Sequence, residues 1–176
     1  MVWTTPRTWV TAEMVTAALM NTHVRDNLDW LIQAHGCAAT GTADQAITTG
    51  VMTAVQWDGT DEWDSDAFHD PASNNTRLTV PRAGRYLVIA GVYWEAVAAG
   101  VNREVHLRTD GSTTASGGRV NQSATVAAPA VYQVVSSILP MGGGTYVECL
   151  VGHDRGSNLN LQRQDSRFQI VWLGDA

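Results

Sequence analysis

The stretch that most limits what this chain can become is RYLVIAGVYWEAV, residues 85–97. Side chains alternate sides along a strand. One face of this one carries Tyr86, Val88, Ala90, Val92 and Trp94, and the other carries Leu87, Ile89, Gly91 and Tyr93. Both faces are apolar. A strand in a one-sided antiparallel sheet should alternate apolar with polar, so this one is expected to be covered on both sides. One cover is an opposing sheet. The second must be a helix, a loop or another copy of the chain. The closing strand repeats the pattern, with Phe168, Ile170 and Trp172 against Val171 and Leu173, and Val131 to Leu139 follows it less strictly.

Short strand-like runs continue from residue 51 onward, about eight or nine of them, separated by turn signals and without βαβ alternation. VMTAVQWD from Val51 alternates as a strand. RLTVP (77–81) is a short strand stopped by Pro81, and VNREVHLRT (101–109) runs into Asp110-Gly111, a hairpin signal. TYVECLVGH (145–153) follows the turn Gly142-Gly143-Gly144. Residues 112–129 predict loop with one weak strand near Arg119, and DRGSNLNLQRQDS predicts a polar loop. The expected fold class is mainly β: a jelly-roll sandwich preceded by one long α-helix.

That helix is TAEMVTAALMNTHVRDNLDWLIQAH, Thr11 to His35, with Thr11 as N-cap, Glu13 in the first turn and Gly36 closing it. A heptad seam through Met14, Ala17, Asn21, Val24, Leu28, Leu31 and His35 spans about three heptads, with Asn21 as a polar register-setting position. A helix of that length is marginal alone and needs packing partners. Trp3 and Trp9 in the ten-residue lead are costly to leave wet, so the arm docks either on a partner or back onto its own helix. The expected domains are an arm and helix at 1–36, a linker or weak first strand at 37–50, and a β-sandwich at 51–176.

The formal charge of −6 excludes a general nucleic-acid or anionic-membrane binder. All eleven basic residues are Arg. The longest apolar run, Tyr86 to Trp94, is too short to span a bilayer, and the first ten residues lack the pattern of a signal peptide. Cys37 and Cys149 make neither a disulfide framework nor a metal spacing and are expected as free thiols of a protein folded in a reducing cytoplasm.

No catalytic motif is legible. Cys149 and His153 share a strand face but sit about 13 Å apart, too far for a nucleophile–base pair. Asp58, Asp61, Glu62, Asp64, Asp66 and Asp70 crowd one loop. Their spacing is not that of an EF-hand, so a solvated loop is expected over a calcium site. Trp57 and Trp63, beside Asp61 and Asp64, are candidates for a sugar-stacking platform, with aromatic cover over the sandwich edge as the competing reading. No cofactor is expected.

LTVPRAGRYLVIAGVYWEA resembles the strand pair of the C1q/TNF-like jelly roll, where an apolar strand and a P-x-x-G-x-Y turn lead into a long core strand. LPMGGGTYVECLVGHDRG is similar to its later strand region, with Gly143-Gly144 where Gly-Asp is usual, and FQIVWLG to its aromatic closing strand. The resemblance covers roughly residues 50–175 and implies a homotrimer that buries one sheet around a three-fold axis. Tyr86, Val88, Tyr93, Phe168 and Trp172 are then core or three-fold residues. TPRTWVTAEMVTAALMNTHVRDNLDWL resembles the leading helix of tailed-bacteriophage virion proteins. It implies attachment to capsid or tail proteins through Trp3, Trp9, Met14, Asn21, Val24, Leu28 and Leu31. The functional expectation is a non-enzymatic virion component, a short fibre or a decoration protein, assembled in host cytoplasm. A module that recognises a host glycan or receptor is the alternative.

Overall fold

The computed structural model describes residues 3–96, 101–111, 113–123 and 130–175. They form two compact units, 1–34 and 35–176. Among the described residues no helix is long and apolar enough to cross a membrane.

The N-terminal unit is less helical than its sequence predicts. Thr11 lies in a turn and Ala12 has a left-handed backbone, φ +64°. Glu13 serves that turn, accepting from the Val10 amide and pairing with Arg7. The cap is Thr16, extended, whose hydroxyl accepts from the Leu19 amide at 3.3 Å. Helix α1 (Ala17–Met20) passes into a π-helical turn (Asn21–Arg25) and then α2 (Asp26–Ile32). The wide turn is closed by the Asp26 amide bonding the Asn21 carbonyl, and it breaks the heptad register at Asn21. Gln33 is extended and ends the helix, so Met14 and His35 lie outside it.

The arm folds back on its own helix. Trp3 and Trp30 rings sit 5.2 Å apart. The Asn27 side chain pairs with both backbone groups of Thr4, accepting from its N–H at 3.0 Å and donating to its carbonyl at 2.7 Å. Asn27 and Trp30 are buried, whereas Leu28 and Leu31 of the expected seam are exposed. Trp9 lies under the Arg7 guanidinium.

In the second unit His35 lies just before a strand instead of ending a helix: its carbonyl accepts from the Trp172 amide at 2.8 Å. Gly36, expected as a helix cap, opens β1 (Gly36–Ala39). A Cβ on it would run into the Ile170 carbonyl and the Trp63 ring, so packing requires glycine there. The remaining strands are β2 (Gln45–Ile47), β3 (Thr53–Ala54), β4 (Trp63–Asp64), β5 (Arg77–Thr79), β6 (Gly84–Trp94), β7 (Asn102–Thr109), β8 (Thr113–Ser123), β9 (Val131–Met141), β10 (Tyr146–His153), β11 (Leu159–Leu161) and β12 (Arg167–Gly174). One sheet is ordered β2-β11-β6-β12-β1-β4 with β9 also on β6; the other is β3-β10-β7-β8 with β5 also on β10. We call them sheets A and B. Their strand pairs are all antiparallel.

Several segments differ from their expected form. Residues 37–50 hold β1 and β2, and Cys37, Ala38 and Ala39 are fully buried: small residues suit a strand crossed by other chain. The expected strand at 51–58 is cut to β3; the Val55 amide still bonds the Cys149 carbonyl of the strand beginning at Tyr146 at 2.9 Å, the Trp57 amide turns to the Asn75 carbonyl, and both side chains are buried in the core. Residues 113–123 form one long strand, paired to β7 past the Asp110-Gly111 turn, both of whose residues have positive φ, with Thr109 opposite Thr113. Residues 124–129 lie outside the described residues. The polar loop after Asp154 contains β11, anchored by buried Leu159 and Leu161.

The core lies between the sheets. Sheet A contributes Tyr86, Val88, Ala90, Val92, Phe168 and Ile170; sheet B contributes Val105, Leu107, Val147, Cys149 and Val151. Trp57 stacks on Phe168 with centroids 5.5 Å apart. Trp94 donates its Nε1–H to Gln133 at 2.7 Å, which satisfies an indole that is wholly buried.

Candidate functional site

The alternation of β6 assigns its two faces. Tyr86, Val88, Ala90, Val92 and Trp94 point into the core and are fully buried. Leu87, Ile89 and Tyr93 point outward and are half-buried. The registers extend that outward face across the neighbouring strands. Ile138, Val134 and Tyr132 on β9 stand opposite Leu87, Gly91 and Tyr93, and Val171 on β12 stands opposite Leu87. Tyr132, Val134 and Ile138 are 49%, 48% and 60% exposed. Leu173, near the end of β12, is also exposed. The result is a mostly apolar surface on a sheet, broken beside Ile89 by Ser136 of β9 and Gln169 of β12, and of the kind that marks an interaction site.

Local packing shapes this face. Gly91 has no Cβ because the Tyr132 ring lies directly over it, and a methyl there would overlap the phenol. Tyr132 in turn packs on Tyr93 with centroids 6.3 Å apart. Trp63 stands at the β4 edge of the same face, opposite Ala38 and against Gly36. Arg85 and Arg167 lie toward its rim; Arg167 is held by Glu62 at 2.6 Å.

Of the residues expected at a three-fold or core, Tyr86, Val88 and Phe168 are core and Tyr93 is on the outward face. Trp172 packs against the core while half-buried, beside Gly84, under the Arg82 guanidinium and edge-on to His35. Val134, Ile138 and Tyr132 were not singled out by sequence reasoning. Their signal was present, since the 131–139 strand is apolar at alternate outward positions as well as inward ones.

The Trp57–Trp63 platform does not form. Trp57 has 0% exposure and lies inside the sandwich, while Trp63 stands on the outer side of sheet A. The acidic loop is solvent-accessible, with Glu62 and Asp70 exposed and none of its carboxylates buried, and its carboxylates also carry structural hydrogen bonds. Asp58 accepts from the Thr42 amide and hydroxyl and from Arg163. Burial opposes its ionisation, but those bonds and the Arg163 charge outweigh burial and hold its pKa below the ordinary value. Asp61 meets His69 Nδ1 at 2.7 Å, and Asp66 meets His35 Nδ1 at 2.7 Å and Arg82 at 3.1 Å. Asp64 accepts from the amides of Asp66, Phe68 and His69, and Asp70 from those of Ala72 and Ser73.

Cys149 is sealed in the core, where burial pushes its thiol pKa far up, and His153 bonds the Ile47 carbonyl through Nε2 at 2.9 Å. The thiol is therefore protonated and inert, and no nucleophile–base pair exists between them.

No family model matches the sequence, and no curated protein does. Solved structures do. The globular domain of zebrafish complement 1qA protein aligns at a TM-score of 0.59 with 8% identity, over 82% of this chain and 100% of that one. Murine APRIL aligns at 0.58 with 13% identity, over 80% and 100%. The Eiger TNF of S. frugiperda aligns at 0.53 with 16% identity, over 81% and 94%. At these identities the likeness concerns the fold, and the fold of this chain is the C1q/TNF-like jelly roll.

Proposed function

We propose that the protein is a non-enzymatic structural module that self-associates as a homotrimer through the outward face of sheet A, and that it serves as a component of a tailed-phage virion, a short fibre or decoration protein held by its N-terminal unit. The observation that carries the self-association is the bare apolar surface of Leu87, Ile89, Tyr93, Tyr132, Val134, Ile138 and Val171. Two copies closing over each protomer's face would remove those side chains from water at about 25 cal/mol per Å². The resemblance to C1q/TNF-like domains supports a closed three-fold arrangement over an open chain of contacts. The virion role rests on the resemblance of the N-terminal segment to phage leading helices. Display on the particle surface leaves the loops as the region available to a host; the Trp57–Trp63 pair is not a recognition platform, so this second reading has no specific feature in its favour.

Sedimentation equilibrium of the full chain tests the first part: a mass of three chains is expected, and a monomer at micromolar concentration overturns it. Immunogold labelling of intact virions from the source phage tests the second: label on the particle is expected, and protein found only in the unassembled fraction overturns it.

A further inference from the structure

Two buried arginines of the sandwich differ in what surrounds them. Arg163 is 5% exposed and fully served: Nε donates to the Ala43 carbonyl at 2.7 Å, Nη1 to the Gln56 carbonyl, and Nη2 to the Asp58 carboxylate at 3.2 Å. Arg103 is 1% exposed and is not served. It takes the inward position of β7 that follows the pattern of Val105 and Leu107, so its side chain enters the layer between the sheets. Among the described residues its side chain makes one hydrogen bond, a long one from Nη2 to the Glu95 carbonyl at 3.5 Å. Nε and Nη1 are buried without a partner.

The polar groups around Arg103 are already committed. Gln133 reaches across from β9 and donates to the Arg103 carbonyl at 3.1 Å, while its side-chain oxygen takes the Trp94 indole. His153 stands opposite Arg103 on β10. Its Nδ1 accepts from the Arg155 amide at 3.2 Å, so Nε2 carries the proton and donates to the Ile47 carbonyl at 2.9 Å. The ring is neutral and has no nitrogen to spare. The Glu95 carboxylate turns to Arg155 at 3.1 Å and to the Asn160 amide at 2.9 Å. Burial lowers the Arg103 pKa with no acid to oppose it, yet a guanidinium stays charged in a protein. An unmatched buried cation is among the most costly features a core can hold.

We propose that Arg103 is the receptor for a small inorganic monoanion of the halide type, held inside the sandwich by the Nε and Nη1 hydrogens. The sign of the ligand follows from the group, which carries donors only. Its size follows from burial: a guanidinium sealed from solvent has no mouth through which an organic acid keeps its tail in water. A monatomic anion accepts hydrogen bonds from any direction and so meets donors on different edges of one guanidinium. A water molecule takes the same hydrogen bonds but leaves the charge unmatched; an anion answers both.

Thermal unfolding of the full chain at constant ionic strength, with sodium chloride exchanged for sodium gluconate, tests this. Gluconate carries the same charge and is too large to enter. Above its Kd, chloride is expected to raise Tm by about 3–5 °C per tenfold in concentration, as for any ligand bound only by the folded state. Arg103→Met, an apolar chain of similar length, loses the chloride dependence; Arg119→Ala, on the outer face of the same sheet, keeps it. Equal Tm in the two salts, or a chloride dependence that survives Arg103→Met, overturns the proposal. Crystals of the parent chain grown in bromide give a reading that needs no variant. An anomalous peak against the Arg103 guanidinium is expected, and its absence overturns the proposal as well.

Discussion

The two sheets present opposite outer faces. On sheet B the outward residues of β7 and β10 are charged and stitched together. Glu148 is buried, takes Arg108 through two bonds at 3.1 and 2.7 Å, and also receives Thr76 and Arg77. Arg77 lies 4.0 Å over the Tyr146 ring, and Glu104 takes Arg119. On sheet A the equivalent positions are Leu87, Ile89, Val134, Ile138 and Val171. Sheet B needs no cover, because its outer groups bond to each other and to water. Sheet A has a mostly apolar outer face, with Ser136 and Gln169 beside Ile89 and Arg85 and Arg167 toward its rim, so the protomer is asymmetric by design of its sequence: finished on one side and unfinished on the other.

Charging the unfinished face should have the largest effect. Val134→Glu combined with Ile138→Glu is expected to give a folded monomer. With roughly 2 kcal/mol lost at each of two central positions, association weakens about a thousandfold, read by sedimentation or light scattering. If that variant keeps the parent mass, the contrast between the faces has no bearing on assembly.

Breaking the finished face should cost stability and leave the mass alone. Arg108→Ala removes the main partner of a buried carboxylate and is expected to destabilise by about 2–3 kcal/mol, less than a wholly stripped buried pair because Arg77 and Thr76 remain. Denaturant unfolding measures it, and a change in mass would contradict the division of labour. The same carboxylate gives a pH dependence. Burial opposes the ionisation of Glu148, but the bonds from Arg108 and Thr76 and the Arg108 charge outweigh burial and depress its pKa. Its stabilisation is thus fully present above the unfolded-state value, roughly pH 4.3, and is lost as pH falls through the lower folded-state value. Glu148→Gln should flatten the acid limb of thermal stability against pH.

Gly91→Ala tests the fine shape of the apolar face. The added methyl forces Tyr132 off its seat at a cost of about 1–3 kcal/mol, and association should loosen by roughly tenfold. The smallest effect belongs to Arg119→Ala on sheet B: an exposed ion pair, with a change within about 0.5 kcal/mol and no change in mass.

Much of this was legible in the sequence because period-2 patterning is a local property. The doubly apolar 85–94 strand, the Asp110-Gly111 hairpin and the mainly β architecture follow from side-chain alternation and turn chemistry. The helix was legible in place but not in detail: Thr16 competes with Thr11 as a cap, and one π turn erases a heptad register that composition alone suggests. The solvent exposure of the acidic loop was legible, but the partners of its carboxylates were not, because they lie as far off as Arg163 and Arg167, and such distant pairs leave no trace in local spacing.

The sequence by itself determined that strands of this chain would be apolar on both sides and so would need two covers. Only the tertiary structure decided which face each residue takes, and that Trp57 goes inside while Trp63 stays out. It also brought Cys37 beside Asp61 and Asp64, and His69 onto Asp61. Alternation is set by the geometry of one strand, whereas the choice of face and the meeting of distant side chains depend on which strands pair and in what register, and a single residue of register reverses both.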